Sequence, residues 1–155
     1  MVQFFFEGVG FTFRERKRLK QFLQELFKKN KIGLGSLTYI FCSDDYLLDI
    51  NKRFLNHNYY TDIITFYLNG PGQPVEGSIY ISIDRVKDNA QLLGVLFQQE
   101  LHRVIFHGAL HLTGYSDKSK AQKKMMRIAE EKCLAAYFDV PRIPVSYRNT
   151  TAKKP

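Results

Sequence analysis

The segment HGALHLTGYSD, residues 107–117, brings together side chains whose types and spacing suit one kind of chemistry. His107 and His111 lie four apart, so on an α-helix they differ by about 40° and face the same way. Two imidazoles on one helix face can hold one metal ion. Gly114 suits the end of such a helix, because glycine takes positive φ without a Cβ penalty. The chain can then double back and bring Asp117 round to offer a carboxylate oxygen. Two histidines and an aspartate leave the fourth position of a tetrahedral ion open, as a catalytic zinc site requires. The competing reading, two histidines packed on an apolar helix without an ion, leaves the placement of Gly114 and Asp117 unexplained.

The spacing H-x-x-x-H-x-x-G-x-x-D is that of the long metalloprotease motif, in which the residue after the first His is a Glu general base. Here that residue is Gly108, which argues against peptide hydrolysis by this route. The segment also resembles the signature H-G-x-L-H-L-x-G-Y-D-H of the YbeY-type bacterial endoribonucleases, or rRNA maturation factors. His107, Gly108, Leu110, His111, Leu112, Gly114 and Tyr115 match it. The family's Asp-His pair is Ser116 and Asp117 here, so its third histidine ligand becomes a carboxylate. Zinc accepts that donor, although a harder ligand set alters affinity and metal preference.

The resemblance runs roughly over residues 47–134. The family's L-N-x-x-Y-R-G-K-x-x-P-T-D-V-L-S-F is echoed by Ile50, Asn51, Phe54, Thr61, Asp62, Ile63, Ile64, Thr65 and Phe66. Its Arg-Gly pair is Leu55-Asn56 here, and Asn suits a positive φ best among non-glycine residues. The family's G-D-I-x-I-S becomes residues 77–82, GSIYIS, without the Asp. Arg103 stands where the family often has a His, four residues before the first ligand.

What the resemblance implies is a zinc-dependent, single-strand-specific endoribonuclease of rRNA maturation and ribosome quality control. It would carry one Zn2+ per chain on His107, His111 and Asp117, and act on rRNA or the small ribosomal subunit. The ion would activate water or polarise a phosphate oxygen while basic residues hold the backbone. Two other classes stay open: an assembly factor with a structural metal and little catalysis, and a metal hydrolase of a small substrate. No residue of the signature is an evident general base; a metal hydroxide could suffice, or Glu100 or Asp62 could help. Glu100 and Arg103 precede His107 by seven and four residues, on the ligand face. Arg103 could hold a phosphate with two parallel hydrogen bonds, replacing the arginine absent at Leu55, or pair with Glu100 three residues away. Thr61 and Lys118 are further candidates for substrate contact. His102 is about 140° round the helix from His107 and reads as a surface or packing residue, and His57 as an exposed loop residue.

Composition bounds the partners. The chain has 155 residues, a formal charge of +8, two cysteines and 45% hydrophobic residues, which suits one globular domain and excludes a disulfide scaffold. Basic runs at residues 14–20, 28–31, 118–127 and 142–154 favour a polyanion such as RNA over a neutral small molecule. No apolar run reaches membrane-spanning length and the start lacks a signal-peptide pattern, so a cytoplasmic location without membrane contact is expected. Cys42 and Cys133 read as buried thiols.

Periodicity supplies the elements that must position these residues. Residues 2–6 read as a strand, 13–30 as a basic amphipathic helix ended by Gly33 and Gly35, and 37–42 as a second strand. Ser43 caps a helix through Phe54. Residues 61–66 and 77–82 form a hairpin with a ten-residue loop. Helices follow at 84–90 and 95–112, and Ser119 caps a last one. The expected fold is mixed α+β: one small mixed sheet of about four strands packed by about five helices, the metal-site helix central. Residues 1–140 form a single domain, and 141–155 a basic, proline-containing tail.

Overall fold

The computed structural model describes residues 1–139 and, beyond them, the backbone of Ala152 and Lys153. Its sheet is organised by β2 (Leu34–Cys42) and β5 (Val75–Ser82), which run parallel. Alternate residues Leu37, Tyr39, Phe41, Ile79 and Ile81 are fully buried, the two-residue period of strands that bury one face. β1 (Val2–Phe6) pairs parallel with β2 at one edge, and β4 (Ile63–Tyr67) pairs antiparallel with β5 at the other. The order is β1-β2-β5-β4, a mixed four-stranded sheet. Five helices pack on it: α1 (Arg16–Lys29), α2 (Asp44–Leu55), α3 (Ile83–Leu93), α4 (Phe97–Leu112) and α5 (Lys120–Phe138). A small cluster of Cys42, Leu47, Ile50 and Ile64 joins α2 to the sheet, apart from the main core.

Local signals act as read. Ser43 accepts from the backbone N–H of Tyr46, and Ser119 and Gln122 form a capping box at the start of α5. Asn56 takes φ 54°, and Gly114 takes φ 110° after the last turn of α4. Both cysteines are free and buried.

Several boundaries differ. α1 begins at Arg16 rather than 13, because Phe13 leaves the helix to pack on Phe41 with ring centroids 4.8 Å apart. It ends at Asn30 and Lys31, the latter at φ 58°, and not at the glycines. Gly35 instead lies within β2, where a Cβ would stand 3.2 Å from the Val75 carbonyl oxygen. The hairpin loop is shorter than ten residues, since β4 extends to Tyr67 and β5 starts at Val75. Tyr60–Thr61 is a separate strand, β3, antiparallel to the backbone of β6 (Ala152–Lys153), which makes a small second ribbon. Apart from those two residues, the expected tail at 141–155 lies outside the described residues.

α4 is the central element, with every residue from Glu100 to Leu110 buried. The hydroxyl of Tyr39 on β2 donates to the Ile105 carbonyl at 2.7 Å and ties sheet to helix. Gly108 explains the close approach. A Cβ there would meet Ile79 Cδ1 at 2.8 Å and Ile63 Cδ1 at 3.0 Å. Replacing Gly108 by Ala adds about 1 kcal/mol of helix propensity but costs about 1–3 kcal/mol by overpacking. A net loss of about 1 kcal/mol in denaturant unfolding is expected. Gly108→Glu, which would bury an unpaired carboxylate as well, should not give a stable fold. A G108A unfolding midpoint at or above that of the wild type would contradict this packing.

Candidate metal centre

α4 presents His107 and His111 one turn apart, and the turn at Gly114 carries the chain back to Asp117. That turn is held by bonds from the Tyr115 N–H to the Leu110 carbonyl at 3.0 Å and from the Gly114 N–H to the His111 carbonyl at 3.1 Å. His107 Nε2 and His111 Nε2 are 3.0 Å apart. Asp117 Oδ2 lies 3.5 Å from the first and 3.3 Å from the second. A tetrahedral zinc ion with bonds of 2.0–2.1 Å separates its ligand atoms by about 3.3 Å. The three donors therefore have the spacing of one ion's ligands.

The outer nitrogens decide which tautomers face this point. His111 Nδ1 lies 3.0 Å from the Tyr115 carbonyl, which can only accept, so that nitrogen carries a hydrogen. His107 Nδ1 lies 2.6 Å from Glu130 Oε2, a carboxylate that likewise accepts. With both Nδ1 atoms committed as donors, two Nε2 lone pairs and a carboxylate oxygen converge. Three electron-pair donors in contact need a proton or a cation among them. A carboxylate behind a metal-binding histidine is a common orienting device.

Behind His107 lies a buried ion cluster. Arg103 donates to Glu100 through Nε at 2.7 Å and through Nη2 at 2.8 Å, and to Glu130 through Nη1 at 3.1 Å. Its Nη2 is 3.8 Å from Asp62 Oδ2, which also accepts from Asn89 Nδ2 at 3.3 Å. Burial opposes ionisation of Glu130, yet the His107 hydrogen bond and the Arg103 charge hold its pKa below the ordinary value. Burial likewise opposes protonation of His107, but its bonds to Asp117 and Glu130 prevail and raise its pKa to about 9. His111 is shifted down by burial and by the charge on His107. Asp117 falls to about 2, chiefly through its hydrogen bond with His107. Asp62 rises to about 6 because burial outweighs the attraction of Arg103 and His107.

His107, His111 and Asp117 form the floor of an open cleft of about 400 Å³, whose lining also includes Thr61 and Asp62. Lys118 is exposed beside Asp117 and is not part of that lining. Glu100 and Arg103 lie inside, 1% and 7% exposed, and the guanidinium is engaged by carboxylates. Direct phosphate contact by Arg103 does not fit this position; its pairing with Glu100 does. His102 packs inside, stacked on Tyr137, rather than at the surface. His57 is exposed, as read, and also lines the cleft.

Sequence reasoning passed over Glu130 and Asn51. Glu130 shares the buried face of α5 with Met126, Ala129, Cys133, Leu134 and Tyr137. A carboxylate in an apolar helical stripe was the available signal. Asn51, 1% exposed, donates from Nδ2 to the Tyr59 carbonyl at 3.0 Å and fastens the cleft loop to α2.

Comparison with known proteins gives one answer. A family model described as Endoribonuclease YbeY matches residues 9–138. The Endoribonuclease YbeY of Cytophaga hutchinsonii is 51% identical over 134 residues, covering 86% of this chain and 94% of that protein. Its Porphyromonas gingivalis namesake is 43% identical over 133 residues, covering 86% and 87%. A Thermotoga maritima protein solved in solution is similar at a TM-score of 0.64, with 30% identity over 90% of each chain.

Two measurements test the centre. Glu130→Gln keeps the shape but weakens the acceptor on His107 Nδ1, so metal affinity should fall about 10- to 100-fold. Unchanged affinity by competition with a chelating dye would remove Glu130 from the metal's support. The second concerns pH. Metal-free, His107 has a folded pKa of about 9 against an ordinary 6.5. Its contribution to stability is complete below about 6.5 and is lost as pH rises through about 9. Metal must displace the same proton, so affinity should climb over this window. Thermal unfolding of chelated protein should therefore weaken between these limits while metal binding strengthens; a flat response in both would contradict the proton's placement.

Proposed function

The chain belongs to the Endoribonuclease YbeY family, and on that premise we propose that it is a zinc-dependent, single-strand-specific endoribonuclease of rRNA maturation and ribosome quality control. Its working unit is residues 1–140, its location the cytoplasm, and its target rRNA or the small ribosomal subunit. No described helix is long and apolar enough to cross a membrane. The observation that carries the reading is the convergence of His107, His111 and Asp117 at the floor of an open cleft, with both histidines oriented from behind.

When bound there, zinc would supply a Lewis acid for a phosphate oxygen and a lowered pKa for water. The chain's residues do the rest. Glu130 and the Tyr115 carbonyl fix the imidazole tautomers. Arg103 and Glu100 act as positioning residues, because together they hold Glu130 against His107. Thr61 meets the substrate on the cleft wall; Asp62, 1% exposed behind it, has a raised pKa that suits it to hold a proton near neutrality. Lys118 and the basic faces outside the cleft draw in the RNA backbone.

Purified protein should contain about one zinc per chain and cleave single-stranded RNA, with a chelator abolishing cleavage. His111→Ala should remain folded, hold little metal and cleave no better than chelated wild type. Full metal occupancy in H111A, or cleavage indifferent to the chelator, would sink the reading. RNA affinity should fall steeply with salt, the log-log slope shrinking by about one for each phosphate contact removed. A salt-insensitive binding constant would contradict electrostatic capture.

A further inference from the structure

The cleft wall is unlike the charged exterior. No Lys or Arg lines the cleft among the described residues, although the chain carries a formal charge of +8. Its walls include Leu55, Tyr59, Ile63 and Tyr67. A groove built only to track a phosphate backbone would place cations along its walls. Apolar and aromatic walls instead suit the faces of unpaired bases.

Tyr67 is the decisive residue. It is 60% exposed, yet its hydroxyl donates to the carbonyl of His111 at 2.6 Å. An exposed aromatic ring is thereby fixed in orientation, and the fixing bond is to a metal-donor residue. Little side-chain freedom remains to be lost when something stacks on it. The same cleft includes a second ordered aromatic pair, His57 and Tyr59, whose rings stack at 5.0 Å and whose side chains share a 2.8 Å hydrogen bond. Asn51 holds the backbone of this loop through the Tyr59 carbonyl.

We propose that the cleft is a nucleobase slot in which the ring of Tyr67, pinned to the His111 carbonyl, is the stacking platform that seats an unpaired base beside the metal donors. The inference rests on the endoribonuclease reading and adds what the cleft recognises: the face of a base. Stacking tolerates sequence, because every base has a π-face, and it excludes duplex, whose bases already stack on one another. Single-strand preference then arises in the cleft, while affinity for any RNA arises from the basic exterior.

The test is rapid-mixing binding, read before strands are cleaved, of short single-stranded oligoribonucleotides carrying 2-aminopurine at successive positions, and of matched oligonucleotides abasic at those positions. The proteins are zinc-loaded wild type, Tyr67→Ala and Tyr67→Phe. Tyr67 is exposed, so both variants should fold and keep metal, which melting and metal analysis verify. Wild type should quench 2-aminopurine at one position. Tyr67→Ala should weaken binding of the intact strand about 5- to 100-fold and lose that quenching. It should match wild type on the strand abasic at that position. Tyr67→Phe keeps the ring but loses the bond that fixes it, so it should keep the quenching and weaken binding less than Tyr67→Ala. Absence of quenching in wild type, or equal losses by Tyr67→Ala on intact and abasic strands, would overturn the slot. If wild type shows Tyr67-dependent quenching but never cleaves, the slot stands and the endoribonuclease reading fails.

Discussion

The structure turns on one buried hydrogen bond, His107 Nδ1 to Glu130 Oε2 at 2.6 Å. It fixes the imidazole that faces the metal point, and it exists only because a carboxylate has been brought into an apolar interface between two helices. Such a group is costly to bury unpaired. Arg103 pairs with it but also with Glu100 and, more distantly, Asp62. Three carboxylates thus surround a single guanidinium, and Asp117 adds a fourth on the far side of His107. The cluster therefore carries an excess of negative charge, visible in the proton held by His107 against the cost of its burial. A divalent cation on the three donors would relieve that excess. The inner cluster and the metal site are one electrostatic unit, in which each part makes the other less costly.

The unit needs α4 at a fixed height above the sheet. Gly108 allows the approach, Ile79 and Ile63 define its limit, and the Tyr39 hydroxyl holds a mid-helix carbonyl. A Glu at the position of Gly108, as in the protease motif, would project into β4 and β5 rather than towards substrate. The missing general base of that motif and the tight packing of this helix are thus the same fact. Function here cannot borrow the protease arrangement.

The convergence of His107, His111 and Asp117, the caps at Ser43 and Ser119 and the positive φ of Asn56 were legible because each depends on residues close in sequence. So was the class of the fold, since four strand-like and five helix-like stretches leave few ways to bury their apolar faces. Register was not legible. Nothing in residues 34–42 alone says that β2 runs parallel to both β1 and β5. Arg103 shows the limit most clearly. Helical period puts it on the face of His107, but period alone cannot say whether that stretch of face meets solvent or another helix. The answer lay in α5, whose buried stripe contains Glu130. A carboxylate in one apolar stripe and a guanidinium in another can be matched as partners before any coordinates exist.

Asp117, where the resemblance implies a third histidine, also gains a physical meaning. A carboxylate donor lowers the charge of a bound divalent cation by one more unit than an imidazole would, and so weakens its pull on an anionic phosphate. Leu55, where the resemblance implies an arginine, lines the same cleft without a charge. Both changes act in one direction: they reduce electrostatic hold on the backbone at the reacting centre. The basic exterior can still collect RNA, since attraction at a Debye length does not depend on the cleft. What must then position the strand inside is contact that does not rely on charge, and the fixed ring of Tyr67 with the apolar wall beside it is the part of the cleft able to provide it.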